Sequence, residues 1–315
     1  MLRMSEATPP PALRHLVGDR PHGLFLASDA STAGVTRRDV ARWVQQGVVR
    51  RLGRAVYAAS PVPSTREEGH RELVRAMLLS HPSVVASHHS ALALLGIDLH
   101  AVDLTAAHGI WTNQSPTRTV DRFRLMRPAR RTPWGHVDGW ACVRPSWAIT
   151  QTAGRFGLVA GVVSADHALR RGMVTEDQLT AAVTAHAGAV GVEAMRRMLR
   201  SCDRRSESVG ESRLRLICEG AGIEVEPQFR VLDQQRCVAR ADFRVVGTRL
   251  LLEFDGMLKY RAADGQNALE REKRREDACR RLRWDFERFV WAQLDRPSQV
   301  VRLIREGIAR APRDA

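Results

Sequence analysis

Asp242 and Glu253 are the residues whose placement points most directly to chemistry, because the segments carrying them read as two arms of a β-hairpin. Val238 to Val246 and Arg249 to Asp255 are rich in Val, Leu and Phe, and Gly247-Thr248 between them suits a two-residue turn. Facing Val246 with Arg249 sets Asp242 opposite Glu253 and Arg240 opposite Asp255. Side chains alternate along a strand, so the two carboxylates share a face. Like charges directly opposite one another, with Cβ atoms roughly 4.5–5.5 Å apart, repel. A positive group must therefore sit between them. A hard divalent cation such as Mg²⁺, held by oxygen ligands, meets that need. A neighbouring cation, Arg240, Arg244 or Lys259, meets it by purely structural means.

The whole chain is basic. Its 315 residues carry 49 Lys and Arg against 35 Asp and Glu, a formal charge of +14, and all the basic residues except Lys259 and Lys273 are arginine. That balance points to a polyanionic partner such as DNA; an arginine-rich but merely solvated surface is the competing reading. The length allows two or three domains. Cys142, Cys202, Cys218, Cys237 and Cys279 are scattered without a Cys-x-x-Cys spacing, which predicts free thiols rather than a disulfide frame or a zinc site. No apolar run approaches the roughly 20 residues of a membrane span. The expectation is a soluble, cytoplasmic protein with no membrane partner.

Stepping along the chain, residues 1–60 read as a small basic module. Short helices are predicted at Pro11 to Val17 and Ser28 to Ala33, and a third opens at Thr36 with Asp39 as its capping partner. In that third helix Val40, Trp43 and Val44 share an apolar face, while Arg37, Arg38 and Arg42 lie on the other side. A hairpin turning near Gly53 follows, with Arg50, Arg51 and Arg54 around its tip. Three helices and a basic hairpin describe a winged helix-turn-helix, whose last helix enters the major groove while the wing touches phosphate. Such a fold also serves as a protein-interaction module.

Residues 64–203 read as a mixed α/β scaffold. Ser64 and Glu67 suggest a capping box ahead of a helix through Leu73 and Met77, and a second helix runs from His88 to Leu95. Strands are expected at Val102 to Ala106, Thr117 to Leu125 and Val137 to Val143, with helices from Trp147 to Cys202. His88 and His89 are expected to be solvated or capping, since adjacent helix residues point apart and no third ligand has metal spacing.

The third segment, residues 206–312, has the order helix, three strands, helix, strand, helix, which predicts a mixed sheet flanked by helices. Ser208 and Glu211 form its opening capping box, so Glu211 is expected to reach back to the Ser208 amide. The run Glu270 to Asp277 reads as a solvated helix face. The overall class is an α+β multidomain protein.

Several separated motifs then occur in a recognisable order: Gly210-Glu-Ser-Arg-Leu-Arg, Pro227-Gln-Phe, Arg240-Ala-Asp-Phe, Glu253-Phe-Asp-Gly-Met-Leu-Lys-Tyr and Glu272-Lys-Arg-Arg-Glu-Asp. They resemble the endonuclease domain of very-short-patch-repair type, within the PD-(D/E)XK nuclease superfamily. The N-terminal module, with Ser87-His-His-Ser-Ala-Leu-Ala-Leu-Leu-Gly96 after it, resembles the AbiEi type of antitoxin from type IV toxin-antitoxin systems. The nuclease resemblance implies Glu211, Asp242, Glu253 and Lys259 as catalytic residues and Asp242, Glu253 and Asp255 as ligands of Mg²⁺. It implies metal-assisted phosphodiester hydrolysis, with Arg244, Lys273 and Arg274 contacting phosphate. The superfamily lysine is expected two residues after the glutamate, where this chain has Asp255, so Lys259 would have to reach back. The antitoxin resemblance implies instead a non-catalytic regulator that binds operator DNA and has a cognate toxin. A scaffold that touches no nucleic acid is the third reading.

Overall fold

The computed structural model describes residues 10–18, 21–256 and 265–313. Lys259 lies outside the described residues. Backbone contacts divide the chain into two compact units, Met1–Ala160 with Asp177–Met195, and Gly161–Glu176 with Arg196–Ala315. This division interleaves across the helices after residue 158, where the sequence suggested consecutive boundaries. Among the described residues the strands form three sheets.

In the first unit α1 (Pro11–Val17), α2 (Ala27–Thr32) and α3 (Arg37–Gln45) pack with strands β1 (Leu24–Leu26), β2 (Arg50–Gly53) and β3 (Val56–Ala58), ordered β1-β3-β2. Leu13, Leu16, Phe25, Val40, Trp43 and Val49 form one buried cluster. Fully burying side chains of this size contributes about 1.5–3 kcal/mol each, which offsets the ordering of three short helices. The winged layout expected from the sequence is present, with one addition: Leu24–Leu26 pairs with the wing strand β3. The next helix, α4 (Arg66–Ser80), is capped by Thr65 with Glu68, one residue later than the sequence suggested, and Ser64 also donates to Glu68.

A six-stranded sheet follows, ordered β6-β7-β5-β4-β9-β8. Its strands are β4 (Val84–Ala86), β5 (Ala107–Trp111), β6 (Arg118–Val120), β7 (Phe123–Met126), β8 (Trp134–Val137) and β9 (Trp140–Val143), with α5 (His88–Leu94) and α6 (Pro145–Phe156) beside it. Three strand expectations are corrected. Val102 to Ala106 is irregular because Ala101 is left-handed and Asp103 accepts the backbone N–H and hydroxyl of Thr105. Thr117 to Leu125 is a hairpin, broken by Asp121 at φ +51°. Val137 to Val143 is likewise two arms, turned by Asp138-Gly139 at positive φ, the signature of a type I′ turn.

The remaining helices are α7 (Leu158–Arg170), α8 (Glu176–Ala185), α9 (Val192–Ser201) and α10 (Val209–Gly220). In the second unit α10 leads into β10 (Val225–Asp233), β11 (Arg236–Val245), β12 (Leu250–Phe254), α11 (Gly265–Arg281), β13 (Asp285–Phe289), α12 (Trp291–Leu294) and α13 (Pro297–Arg310). The sheet order is β10-β11-β12-β13, antiparallel except for the parallel β12–β13 pair. This is the mixed sheet expected from the sequence. Leu214, Phe243, Leu250, Leu252, Phe289, Val300 and Ile304 make its main core. Asp166 is buried in this unit and accepts hydrogen bonds from Arg215 (2.5 Å), the Ser212 hydroxyl (2.7 Å) and the Asp203 amide (2.7 Å).

His88 and His89 are neither solvated nor mere caps, which corrects the sequence reading. They join His70 and His108 in a buried cluster, with His70 and His89 stacked at 4.7 Å, His89 and His108 edge-on at 4.7 Å, and His88 and His108 at 5.4 Å. Burial is the main cause that lowers all four pKa values, His70 and His108 to about 4 and His89 to about 3. A neutral buried imidazole charges more readily in the unfolded chain. The contribution is therefore intact above the unfolded value near 6.5 and declines as pH falls from there toward 4, by up to about 1.4 kcal/mol per pH unit per histidine. Urea unfolding followed at pH 7.5 and at pH 5 should show a lower midpoint at pH 5, and His108→Gln should flatten that dependence. Equal midpoints would mean these rings titrate alike in both states.

Candidate nucleic-acid interface and carboxylate site

Helix α3 owes its start to Thr36, whose hydroxyl accepts the Asp39 N–H (3.2 Å) while Asp39 accepts the Thr36 N–H (3.2 Å). The Thr36 hydrogen bonds hold the Asp39 carboxyl below its ordinary range. Val40 and Trp43 are buried, so Arg37 and Arg38 face solvent. Arg42, also exposed, is bonded to Asp39. On the wing, Arg51 and Arg54 are exposed. Arg50 is not available there: its guanidinium bridges both oxygens of Glu72 at 2.7 and 2.6 Å and donates to the Ser60 and Pro61 carbonyls. Arg50 ties the wing to α4 instead of reaching for phosphate.

The hairpin register in the second unit is the expected one. Phe243 pairs with Leu252 and Arg244 with Leu251, and continuing that alignment places Asp242 beside Glu253. Among the described residues the hydrogen-bonded partners of Glu253 are two arginines that the sequence reading had not named. Glu253 is buried, and its two oxygens take Arg275 Nη1 at 2.7 Å and Arg275 Nη2 at 3.0 Å; Arg288 Nε adds 3.1 Å to the second. Arg288 is the register partner of Glu253 on the parallel strand β13. Arg275 comes from the charged helix α11, so that run is not wholly a solvated face. Asp242 turns its carboxylate to the Phe254 N–H at 2.7 Å.

Glu211 does not reach the Ser208 amide. It accepts the Glu207 N–H (2.8 Å), the Ser208 hydroxyl (2.8 Å) and the Gln228 side-chain N–H (2.9 Å), and burial raises its pKa. Gln228 reaches it from a left-handed backbone at φ +55°, next to Pro227. Arg240 is engaged by Glu207 at 2.7 and 2.9 Å rather than by Asp255. Arg244 lies over the Phe229 and Trp284 rings at 5.0 and 5.9 Å and pairs with Glu226 at 3.8 Å. Lys273 and Arg274 are exposed on α11.

Mg²⁺ demands near-octahedral oxygen coordination at about 2.0–2.1 Å. Both Glu253 oxygens already accept guanidinium hydrogen bonds, Oε1 from Arg275 and Oε2 from Arg275 and Arg288. Among the described residues no group of three His, Cys, Asp or Glu is arranged to hold a metal, and the guanidiniums of Arg275 and Arg288 supply positive charge at Glu253 where a cation was expected.

Residues 12–60 match the family model described as "Transcriptional regulator, AbiEi antitoxin". The chain is also similar to two proteins of Mycobacterium tuberculosis, "Uncharacterized protein MT2308" of strain CDC 1551 / Oshkosh and "Uncharacterized protein Rv2248" of strain ATCC 25618 / H37Rv. Each is 26% identical over 251 residues, covering 79% of this chain and 88% of the relative. The N-terminal segment thus carries an AbiEi-type regulator domain. No helix among the described residues is long and apolar enough to cross a membrane.

A buried carboxylate stripped of Arg275 keeps only the single Arg288 contact, which is costlier than losing the carboxylate and Arg275 together. Arg275→Ala should destabilise the protein by about 1–3 kcal/mol, and much less in a Glu253→Leu background. A double-mutant cycle in guanidinium unfolding should give a coupling of at least about 1 kcal/mol. Additive effects would show that the pair is not energetically linked.

Proposed function

We infer that this protein is a DNA-binding transcriptional regulator of the antitoxin type, and that its second unit is not a working nuclease. The observation that carries the reading is α3: a capped helix, anchored by Val40 and Trp43, that holds Arg37 and Arg38 in solvent within the segment matching the regulator family. Arg51 and Arg54 on the wing supply the accompanying phosphate contacts, and the charge of +14 favours a polyanion. The family likeness makes a toxin of a type IV system the cognate partner to seek.

The nuclease reading draws on the element order α10, β10 to β12, α11, β13, on the Gln228–Glu211 hydrogen bond and on the register that sets Asp242 beside Glu253. In that reading Asp242 and Glu253 hold Mg²⁺ and Lys259 serves the attacking water. The double arginine clasp on Glu253 weighs against it. The second unit then serves as a structural or partner-binding domain.

Fluorescence anisotropy with a labelled duplex tests the reading. The full chain should bind with an affinity that falls steeply with salt, and Arg38→Ala combined with Arg51→Ala should weaken binding at least tenfold. Salt-insensitive or absent binding would reject it. Incubation of supercoiled plasmid with Mg²⁺ should give no nicking, with wild type and Asp242→Ala indistinguishable; cleavage lost in the variant would restore the enzyme.

A further inference from the structure

We propose that the β6–β7 hairpin is a second DNA-binding surface, lying along duplex phosphates that flank the site taken by α3 and the wing. The inference rests on the DNA-binding reading above and extends its footprint beyond the winged module.

The hairpin is built onto the wing. Asp121, at its turn, accepts the backbone N–H of Arg54 at the wing tip. Arg122 reaches the Leu52 carbonyl at 3.5 Å. Phe123 lies so close to Gly53 that a Cβ there would stand 2.9 Å from the ring, so only glycine lets the two hairpins meet. Wing and hairpin therefore form one continuous edge.

That edge continues the cationic surface of the wing. Between Thr117 and Arg131 the sequence places Arg118, Arg122, Arg124, Arg127, Arg130 and Arg131 against a single carboxylate, Asp121, which is committed to the wing. Phe123 and Leu125 point into the core and Arg122 and Arg124 out of it, in strict alternation. Several buried or half-buried arginines elsewhere are matched to carboxylates: Arg50 to Glu72, Arg215 to Asp166, Arg275 to Glu253. Among the described residues Arg118, Arg122, Arg124 and Arg127 have no carboxylate partner. Besides Arg122 on the Leu52 carbonyl, two more are held by neutral groups. Arg118 lies over the Trp111 ring at 4.9 Å, and Arg127 Nε donates to Gln114 Oε1 at 3.0 Å. Neutral contacts fix the guanidiniums while leaving their charge uncompensated, which is what repeated, sequence-independent phosphate contacts need.

The test uses the full chain and two labelled duplexes of arbitrary sequence, one of about one helical turn and one of about three. Each neutralised phosphate contributes about 0.9 to the slope of log affinity against log salt. A triple variant, Arg118→Ser with Arg122→Ser and Arg124→Ser, should lower that slope by about 2–3 on the long duplex and leave the short one unchanged. The corresponding triple replacement by lysine should retain the wild-type slope, which separates lost charge from lost folding. An unchanged slope on the long duplex would overturn the proposal. So would an equal loss on both duplexes, which would mean that the hairpin only props the wing. If the wild type binds neither duplex, the DNA-binding reading itself fails and takes this inference with it. If the wild type binds both duplexes and the serine triple variant loses slope on the long one alone, that reading stands and so does the inference.

Discussion

Two carboxylates facing each other across a hairpin cannot stay uncompensated, and the second unit is arranged around the answer. Glu253 sits buried on β12, and a charge there must be paired. Arg288 is delivered by the parallel strand β13 at the matching register position, and Arg275 by a helix that must therefore pack against the sheet. Asp242 avoids the conflict by turning to the Phe254 amide. Gly210 permits the helix carrying Glu211 to approach, since a Cβ there would fall 2.1 Å from the Phe254 ring. Helix, hairpin, crossover helix and parallel strand are thus held by one electrostatic requirement.

The first unit solves a different problem: keeping arginines exposed without losing the fold that presents them. Core residues Val40 and Trp43 fix α3, the Arg50–Glu72 pair fixes the wing, and Gly53 lets the wing rest on the next hairpin. Charges that serve structure are matched to carboxylates, and charges left over line α3, the wing tip and the neighbouring edge. This sorting gives the AbiEi-type match over residues 12–60 a physical meaning.

Much of this was legible in the sequence where a short-range rule applied. The Thr36–Asp39 cap, the apolar face of α3, the order of elements after residue 206 and the alignment of Asp242 with Glu253 all follow from neighbours a few residues apart. The partners of Glu253 were not legible. Arg288 depends on the register of a parallel pair, which no turn sets, and Arg275 looked like any other member of a charged helix. The Arg50–Glu72 pair is hidden for the same reason, since Glu72 lies a whole linker away. The histidine cluster was missed because His88 and His89 were weighed as neighbours on one helix, whereas α4 and β5 bring His70 and His108 to them. Asp138-Gly139 did carry a turn signal that would have split its strand correctly.

The central claim is that Glu253 belongs to an arginine clasp and not to a metal centre. Calorimetric titration of Mg²⁺ into the full chain tests it most directly, with wild type run beside an Arg275→Ala/Arg288→Ala variant. The clasp predicts no saturable Mg²⁺ site in the wild type across the millimolar range, and any site that emerges should do so only when both arginines are gone. A saturable site in the wild type that disappears in Asp242→Asn would contradict it.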